Sequence, residues 1–365
     1  MNILMLGEYS GFYADLKTGF VKIGHRVLHA SGGDGWKKIG NDVDWSLGLN
    51  GKAGYYATAL YSPLWLNNLD IEQFDIILVC HPYVFSPLVP SALFGRAYKK
   101  LEGKFFLSVA GDDYRTYMST MSKLEYTWFP GLVEDTAGRN NFLRESRIKQ
   151  NERVVSMALG YIPVMYEYSL GYLDLKKPIS VIPLPVDIEK YCYSGNAVQG
   201  KVVFQHGISR PGFKGTKLIV EALNELKRKY PNDVEVMLPE KLPFSKYIET
   251  LQNSNVVIDQ ANSYSYGMNA IIAMAMGKMV LSGAEPEAIH ALGEETSPVI
   301  NIKPSSEDIL KRLKDVLELR GSFVERGIQA RQYVERVHEN THIANKYVEF
   351  FRAGGASASS LNYED

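Results

Sequence analysis

The side chains best suited to chemistry gather between His206 and Ser282. Arg210 and Lys214 lie in the loop His206-Gly207-Ile208-Ser209-Arg210-Pro211-Gly212-Phe213-Lys214-Gly215, interleaved with glycines. Two cations on a glycine-rich loop suit an anion: the side chains supply charge, and the glycines let backbone N–H groups come close. The apolar run Val202-Val203-Phe204 ahead of the loop predicts a buried strand. Leu218, Ile219, Ala222, Leu223 and Leu226 behind it predict a helix starting near Thr216. An ordinary strand-to-helix turn uses the same glycines, so this loop alone leaves both readings open.

A second loop repeats the arrangement. Val256-Val257-Ile258 predicts a strand that delivers Asp259 and Gln260; Tyr266-Gly267-Met268-Asn269 then leads into an apolar helix over 270–276, closed by Gly277-Lys278 before the strand Met279-Val280-Leu281. In an α/β domain both loops would lie at the carboxyl ends of parallel strands, where such sheets bind ligands.

Three further groups stand at predicted strand ends. Gly7 and Gly11 bracket the turn after the strand over 2–6, His81 follows the apolar run 74–80, and Asp112-Asp113 follow the run 104–110. Crowding raises one pKa of a carboxylate pair and can create a base near neutral pH, whereas a helix-capping role uses the same residue type. Adjacent side chains on an extended segment point apart, so one of the two would face a ligand. His338-Glu339-Asn340-Thr341-His342 matches H-E-x-x-H, which on one helix face would bind zinc. The apolar spacing around it is weak, and chance on a surface helix is the better account.

Together the two loops resemble the C-terminal domain of GT-B glycosyltransferases, most closely family 4. Arg210 and Lys214-Gly215 match that family's Arg…Lys-Gly pair, Tyr266-Gly267-Met268-Asn269 its glycine-rich turn, and Ala273-Met274-Ala275-Met276-Gly277-Lys278 its Ala-Met-Ala-x-Gly-Lys helix end. The usual Glu-x7-Glu pair is absent: its places hold Tyr264 and Ile272. The resemblance implies an α/β protein of two Rossmann-like domains facing across a cleft, with a nucleoside diphosphate sugar as donor and a glycan or lipid-linked acceptor. It implies retention of anomeric configuration and no metal or other cofactor. Arg210 and Lys214 would stabilise the leaving diphosphate from a solvent-lined loop, so their removal would leave folding intact. Gly207, Gly215, Asp259, Gln260, Tyr266, Gly267, Met268 and Asn269 would line the donor. Asp112 or Asp113 would lie near the transferred sugar, and Gly7, Gly11 and His81 on the acceptor side. The missing glutamates also fit a second reading, a catalytically inactive GT-B-like partner that binds sugar or nucleotide.

The elements that must position these residues divide as 1–190 for an acceptor-side domain, 200–342 for a donor-side domain, 343–352 for a helix returning to the first domain, and 353–365 for a flexible tail. The first βαβ lacks G-x-G-x-x-G, which argues against a nicotinamide cofactor. Ser31 to Ser62 reads as irregular, Ile179-Ser180-Val181-Ile182 as a late strand of the first domain, and Arg139 to Arg153 as a basic helix able to touch an anionic membrane.

The 365 residues suit two domains, and 45% hydrophobic with 22% charged residues is the balance of a globular protein. A net charge of −1 offers nothing to nucleic acid in general. Cys80 and Cys192 follow no ligand spacing and fit a reducing compartment. No run approaches the roughly 20 apolar residues of a membrane span, and Met1–Leu6 lacks the basic start of a signal peptide. The expectation is a cytoplasmic protein, with peripheral contact at the inner membrane face if the acceptor is lipid-linked.

Overall fold

The computed structural model describes all residues except 35–38, 86–90, 137–140, Lys241 and 355–365, and only the backbone of 91–94. The expected tail therefore lies almost wholly outside the described residues, as does Arg139 of the basic stretch. The chain forms two compact units: Met1–Ser119 with Asn141–Pro185 and Asn340–Asp365, and Thr120–Asn140 with Val186–Glu339.

Among the described residues the first unit holds a parallel sheet of strands β1 (Asn2–Leu6), β2 (Arg26–Ser31), β3 (Val43–Asp44), β4 (Ile76–Val79), β5 (Phe105–Val109) and β6 (Gly160–Pro163), in the order β3-β2-β1-β4-β5-β6. Central strands are apolar on both faces because helices cover both: Ile3, Leu4, Met5 and Leu6 are all fully buried. The chain leaves β1 toward β2 on one side and later takes up β4 on the other. The order thus reverses between β1 and β4, and the turns that follow these strands carry Gly7 and His81.

The helix Asn340–Arg352 closes this unit against the helix Phe12–Lys22. Gly19 is the reason they can meet so closely, since a Cβ there would come 2.2 Å from the Asn340 carbonyl oxygen. Asn340 Nδ2 donates to Asp15 O at 3.2 Å, and Phe20 packs on Tyr347 and Phe351 with ring centroids 6.0 and 6.4 Å apart.

In the second unit strands β7 (Val202–His206), β8 (Val234–Met237), β9 (Val256–Ile258), β10 (Met279–Ser282) and β11 (Ile300–Asn301) are parallel in the order β11-β10-β9-β7-β8. Here the order reverses between β7 and β9. The helix Thr216–Lys229 follows the loop after β7, and its face of Ile219, Ala222, Leu223 and Leu226 joins Val202, Phe204, Val256 and Ile258 in the core.

Three local expectations fail. Residues 51–68 are a helix, Gly51–Asn68, although Pro63 lies inside it. Its near-total lack of charge hid the helical pattern, since both faces read as loosely apolar. Ile179 to Ile182 is not a strand; only Ile179 makes an isolated bridge, to Tyr161. Residues 120–136, numbered with the first domain by the sequence, belong to the second compact unit.

Candidate functional site

The loop after β7 is organised by an ion pair. Lys214 is 9% exposed, and its Nζ donates to Asp259 Oδ1 at 2.9 Å and to the Gly207 carbonyl at 3.4 Å. Asn269 Nδ2 donates to the same Asp259 oxygen at 3.0 Å, and Tyr247 donates to Asn269 Oδ1 at 2.6 Å. Burial pushes the Asp259 carboxyl up, but the charge and hydrogen bond of Lys214, with Asn269 beside it, outweigh this and hold it below the usual carboxylate range. The expectation that Lys214 lies on a solvent-lined loop, removable without harm to folding, is therefore corrected. Taking away one partner of a buried pair leaves the other charge desolvated and alone.

Arg210 is exposed, as expected, and its guanidinium lies 3.7 Å above the Phe213 ring. Gly215 adopts φ +71° between the short helix Pro211–Lys214 and the helix Thr216–Lys229. A Cβ there would come 2.9 Å from Asn262 Oδ1, so the position needs glycine for both conformation and space. Gly207 lies beneath Tyr247, whose hydroxyl would be 2.7 Å from an added Cβ. His206 is buried, with Nδ1 at 2.9 Å from Ile258 O and Nε2 at 2.9 Å from Thr216 Oγ1; burial and the Lys214 charge push its pKa down to about 4. The imidazole is neutral and ties β7 to β9 and to the following helix.

In the loop after β9, Gln260 braces the turn by donating to Ser265 O at 2.9 Å. Gly267 precedes the helix Met268–Ala275, and a Cβ there would be 3.7 Å from Asp259 Oδ2 and from Gln260 Oε1, so both polar groups face the backbone at this turn. Tyr266 does not fit a donor contact. It is 4% exposed, and its hydroxyl bonds Tyr333 at 3.0 Å and His338 Nε2 at 2.9 Å. Met268 is buried beside it in sequence, as is Ile272 in the same helix. Lys278, at the matched helix end, donates to Gly195 O and Gln252 O at 3.1 and 2.9 Å and acts as a brace.

The first unit's strand ends carry a different set. Glu8 is 6% exposed, and its two oxygens accept from Gly11 N at 3.0 Å and Ala14 N at 2.9 Å. Burial raises its pKa to about 7 against the lowering effect of those amides. Sequence reasoning passed over Glu8, although it stands between Gly7 and Gly11. Gly7, with φ +97°, is needed because Cys80 and Val84 press on it: a Cβ would lie 2.9 Å from both. Gly11, φ +88°, opens the helix Phe12–Lys22 and has space around it. His81 is 3% exposed; Nδ1 accepts from Tyr83 N at 3.2 Å, and the Tyr9 ring stands edge-on at 5.5 Å. Burial, with Arg147 nearby, pushes its pKa down to about 3.

Asp112 and Asp113 part as neighbours on extended backbone do. Asp112 is half-buried, whereas Asp113 is fully buried. One Asp113 oxygen accepts from Thr116 N at 2.7 Å and the other from the Tyr172 hydroxyl. A carboxylate so engaged caps the helix Tyr114–Lys123, and Asp113 is withdrawn as a group that could touch a substrate; Asp112 stays.

The H-E-x-x-H match also dissolves. The helix Phe323–Val337 ends before His338, and the next begins at Asn340, so the two histidines share no helix face. Among the described residues no cluster of three or more His, Cys, Asp or Glu is placed to hold a metal ion, and no helix is long and apolar enough to cross a membrane. In the basic helix, now Glu145–Met157, Arg147 lies over the Tyr83 ring at 4.5 Å and Lys149 pairs with Glu145, so part of its charge is already engaged.

No protein-family model and no curated protein matches the chain by sequence. Solved structures do match. Sucrose-phosphate synthase from Thermosynechococcus elongatus aligns over 98% of this chain and 100% of its own, at 11% identity and a TM-score of 0.63. Anabaena HepE, solved with UDP and glucose, aligns over 97% and 100%, at 13% identity and 0.59. A protein from Listeria monocytogenes described as a putative UDP-N-acetylglucosamine 2-epimerase aligns over 98% and 97%, at 14% and 0.53. Transferase and epimerase share this architecture, so the likeness speaks to fold and leaves the reaction to the site. The fold is that of the GT-B class, with two parallel-sheet α/β units.

Proposed function

We propose that the protein is a glycosyltransferase that moves a sugar from a nucleoside diphosphate sugar to a glycan or lipid-linked acceptor, with retention of configuration and without a metal. The observation that carries this reading is the convergence of two loops at the strand-order reversal of the second sheet. There Lys214, Asp259 and Asn269 form a held polar cluster, and Arg210 stands exposed in the same loop as Lys214. Breaking a sugar–phosphate bond develops negative charge on the diphosphate, and fixed cations and amides stabilise that charge without reorganising. Solved structures of the same fold include HepE with UDP-glucose, which supports a uridine nucleotide as the first donor to test.

In this reading Arg210 meets the diphosphate directly. Lys214 holds the loop and contributes charge from beneath, Asp112 lies on the sugar side, and the surroundings of Gly11 and His81 receive the acceptor. The free thiols Cys80 and Cys192 fit a cytoplasmic setting, with peripheral membrane contact if the acceptor is a lipid. The test is a thermal-shift and calorimetric screen of nucleoside diphosphates and their sugars, followed by transfer assays with and without EDTA. A stabilising nucleotide and donor consumption that survives chelation are expected. Turnover that vanishes in EDTA and returns with magnesium or manganese would remove the metal-free part of the reading.

A second reading is a nucleotide-binding partner without catalysis. Tyr264 and Ile272 at the usual glutamate places favour it, together with the loss of Asp113 to a cap. Tight nucleotide binding with no donor consumed, against a broad panel of acceptors, would select it.

A further inference from the structure

Residues 120–136 follow the fifth strand of the first unit in sequence, yet they lie across the strand-end loops of the second. The contacts are specific at both ends of the segment. At one end Glu125 N donates to the Tyr264 hydroxyl at 3.1 Å, the Tyr126 and Tyr264 rings lie 4.8 Å apart, and the Tyr126 hydroxyl donates to Glu285 at 2.6 Å. At the other, the helix Phe129–Asp135 meets the loop after β7. Asp135 accepts from Gly212 N at 2.8 Å and from Phe213 N at 3.1 Å. Between them Trp128 is fully buried, with its ring centroid 5.3 Å from that of Phe213.

The fit leaves no slack. A Cβ on Gly131 would come 2.0 Å from Gly212 O, and one on Gly212 would come 2.1 Å from Gly131 O. Backbone thus lies directly on backbone, and both positions exclude every side chain. The loop so covered is the one whose exposed Arg210 meets the diphosphate under the proposed function, a reading that also calls on fixed amides to stabilise the charge. Its two amide donors are held by a carboxylate of the chain itself. Tyr264, where the resemblance expects a donor-binding glutamate, instead receives the strap.

Resting on that donor-site reading, we propose that residues 124–136 are an autoinhibitory strap, with Asp135 occupying amides that a nucleoside diphosphate must win before it can bind. A site that is competent only when the strap lifts binds with an apparent affinity reduced by the competent fraction. Loosening the strap therefore strengthens binding, whereas damage to a binding element would weaken it.

The experiment measures UDP affinity by calorimetry for the wild type, Asp135→Ala and Gly131→Ala, and hydrogen exchange over 124–136 in the wild type with and without UDP. Both variants are expected to bind UDP about tenfold more tightly, the effect of losing hydrogen bonds to a charged group. UDP is expected to speed exchange in the strap. Equal or weaker UDP binding by both folded variants would overturn the proposal and make the strap plain scaffold. Slower strap exchange on adding UDP would also overturn it, since the segment would then close over the ligand. If neither variant folds, the wild-type exchange decides by itself. If UDP and the other nucleoside diphosphates bind none of the three proteins, the donor-site reading fails and the strap proposal falls with it, an outcome distinct from nucleotide binding that ignores the strap.

Discussion

Glu8 and His81 at the strand ends of the first unit are buried with no opposite charge beside them among the described residues; His29, 4.0 Å from Glu8, is itself pushed toward its neutral form by burial. Lys214 and Asp259 at those of the second are buried together. The consequences run in opposite directions. Burial drives Glu8 up to about 7 and His81 down to about 3, so each is pushed toward its neutral form. Asp259 is equally buried, yet Lys214 2.9 Å away keeps it charged. Desolvation sets the size of the penalty in both places, and the partner decides whether the group escapes by taking up or losing a proton, or by pairing. The first unit therefore holds a carboxyl, Glu8, whose charge changes near neutral pH and an imidazole, His81, that stays neutral there, while the second holds a fixed dipolar cluster.

The comparison is tested most severely at Lys214. Lys214→Ala should cost the second unit about 3–5 kcal/mol, because Asp259 is left buried and alone. The double variant Lys214→Met/Asp259→Leu should recover most of that loss in urea titrations. Recovery by the double variant combined with a large loss in the single one separates a pairing effect from a packing effect; two small effects would mean that solvent reaches Asp259 freely.

Next in size is the pH dependence of the first unit. Between pH 4.5 and about 7 folded Glu8 keeps a proton that the unfolded chain has released, so its contribution to stability falls by about 1.4 kcal/mol per pH unit as pH rises. Between about 3 and 6.5 the unfolded chain binds a proton that folded His81 refuses, so its contribution rises with the same slope. The two oppose each other over pH 4.5–6.5. Glu8→Gln should therefore expose a stability that climbs with pH in that window, and His81→Asn one that declines. Denaturant midpoints near the two ends of the window for both variants suffice; parallel profiles would break the contrast between the units.

Tyr247→Phe sharpens the second half of the comparison. It removes the hydroxyl that donates to Asn269 and should cost about 1 kcal/mol. With Asn269 less firmly held against Asp259, UDP binding should weaken several-fold, whereas a purely remote role would leave it unchanged.

A smaller stability effect is expected at Arg210. Its exposed guanidinium over Phe213 contributes about 0.5–1 kcal/mol, so Arg210→Ala should fold normally yet lower kcat/KM for a donor by roughly tenfold to a thousandfold. Lys217→Ala, on the exposed face one turn along, should change neither by more than about 0.5 kcal/mol. Identical behaviour of the two variants would make the loop a basic surface turn.

Much of the scaffold was legible in the residue order because a parallel strand buried on both faces writes itself as an unbroken apolar run. Asn2–Leu6, Phe105–Val109 and Met279–Ser282 stand where such runs predict them. The helix from Thr216 was legible in its 3.6-residue spacing, and Gly215 in the turn ahead of it. The helix Gly51–Asn68 was not, because a helix with almost no charged face lacks the contrast on which periodicity depends.

At the candidate site, local sequence determined residue types and the strand ends that carry them. It supplied the cations Arg210 and Lys214, the carboxylates Asp259, Asp112 and Asp113, and the glycines that bend the loops. Tertiary structure decided what each one does, because roles depend on partners far along the chain. Asp259 meets Lys214 across 45 positions, Asp113 meets Tyr172 across 59, and Asp135 meets Gly212 across 77. Those encounters follow from strand order and from how deeply each loop is buried, and no short stretch of sequence encodes either.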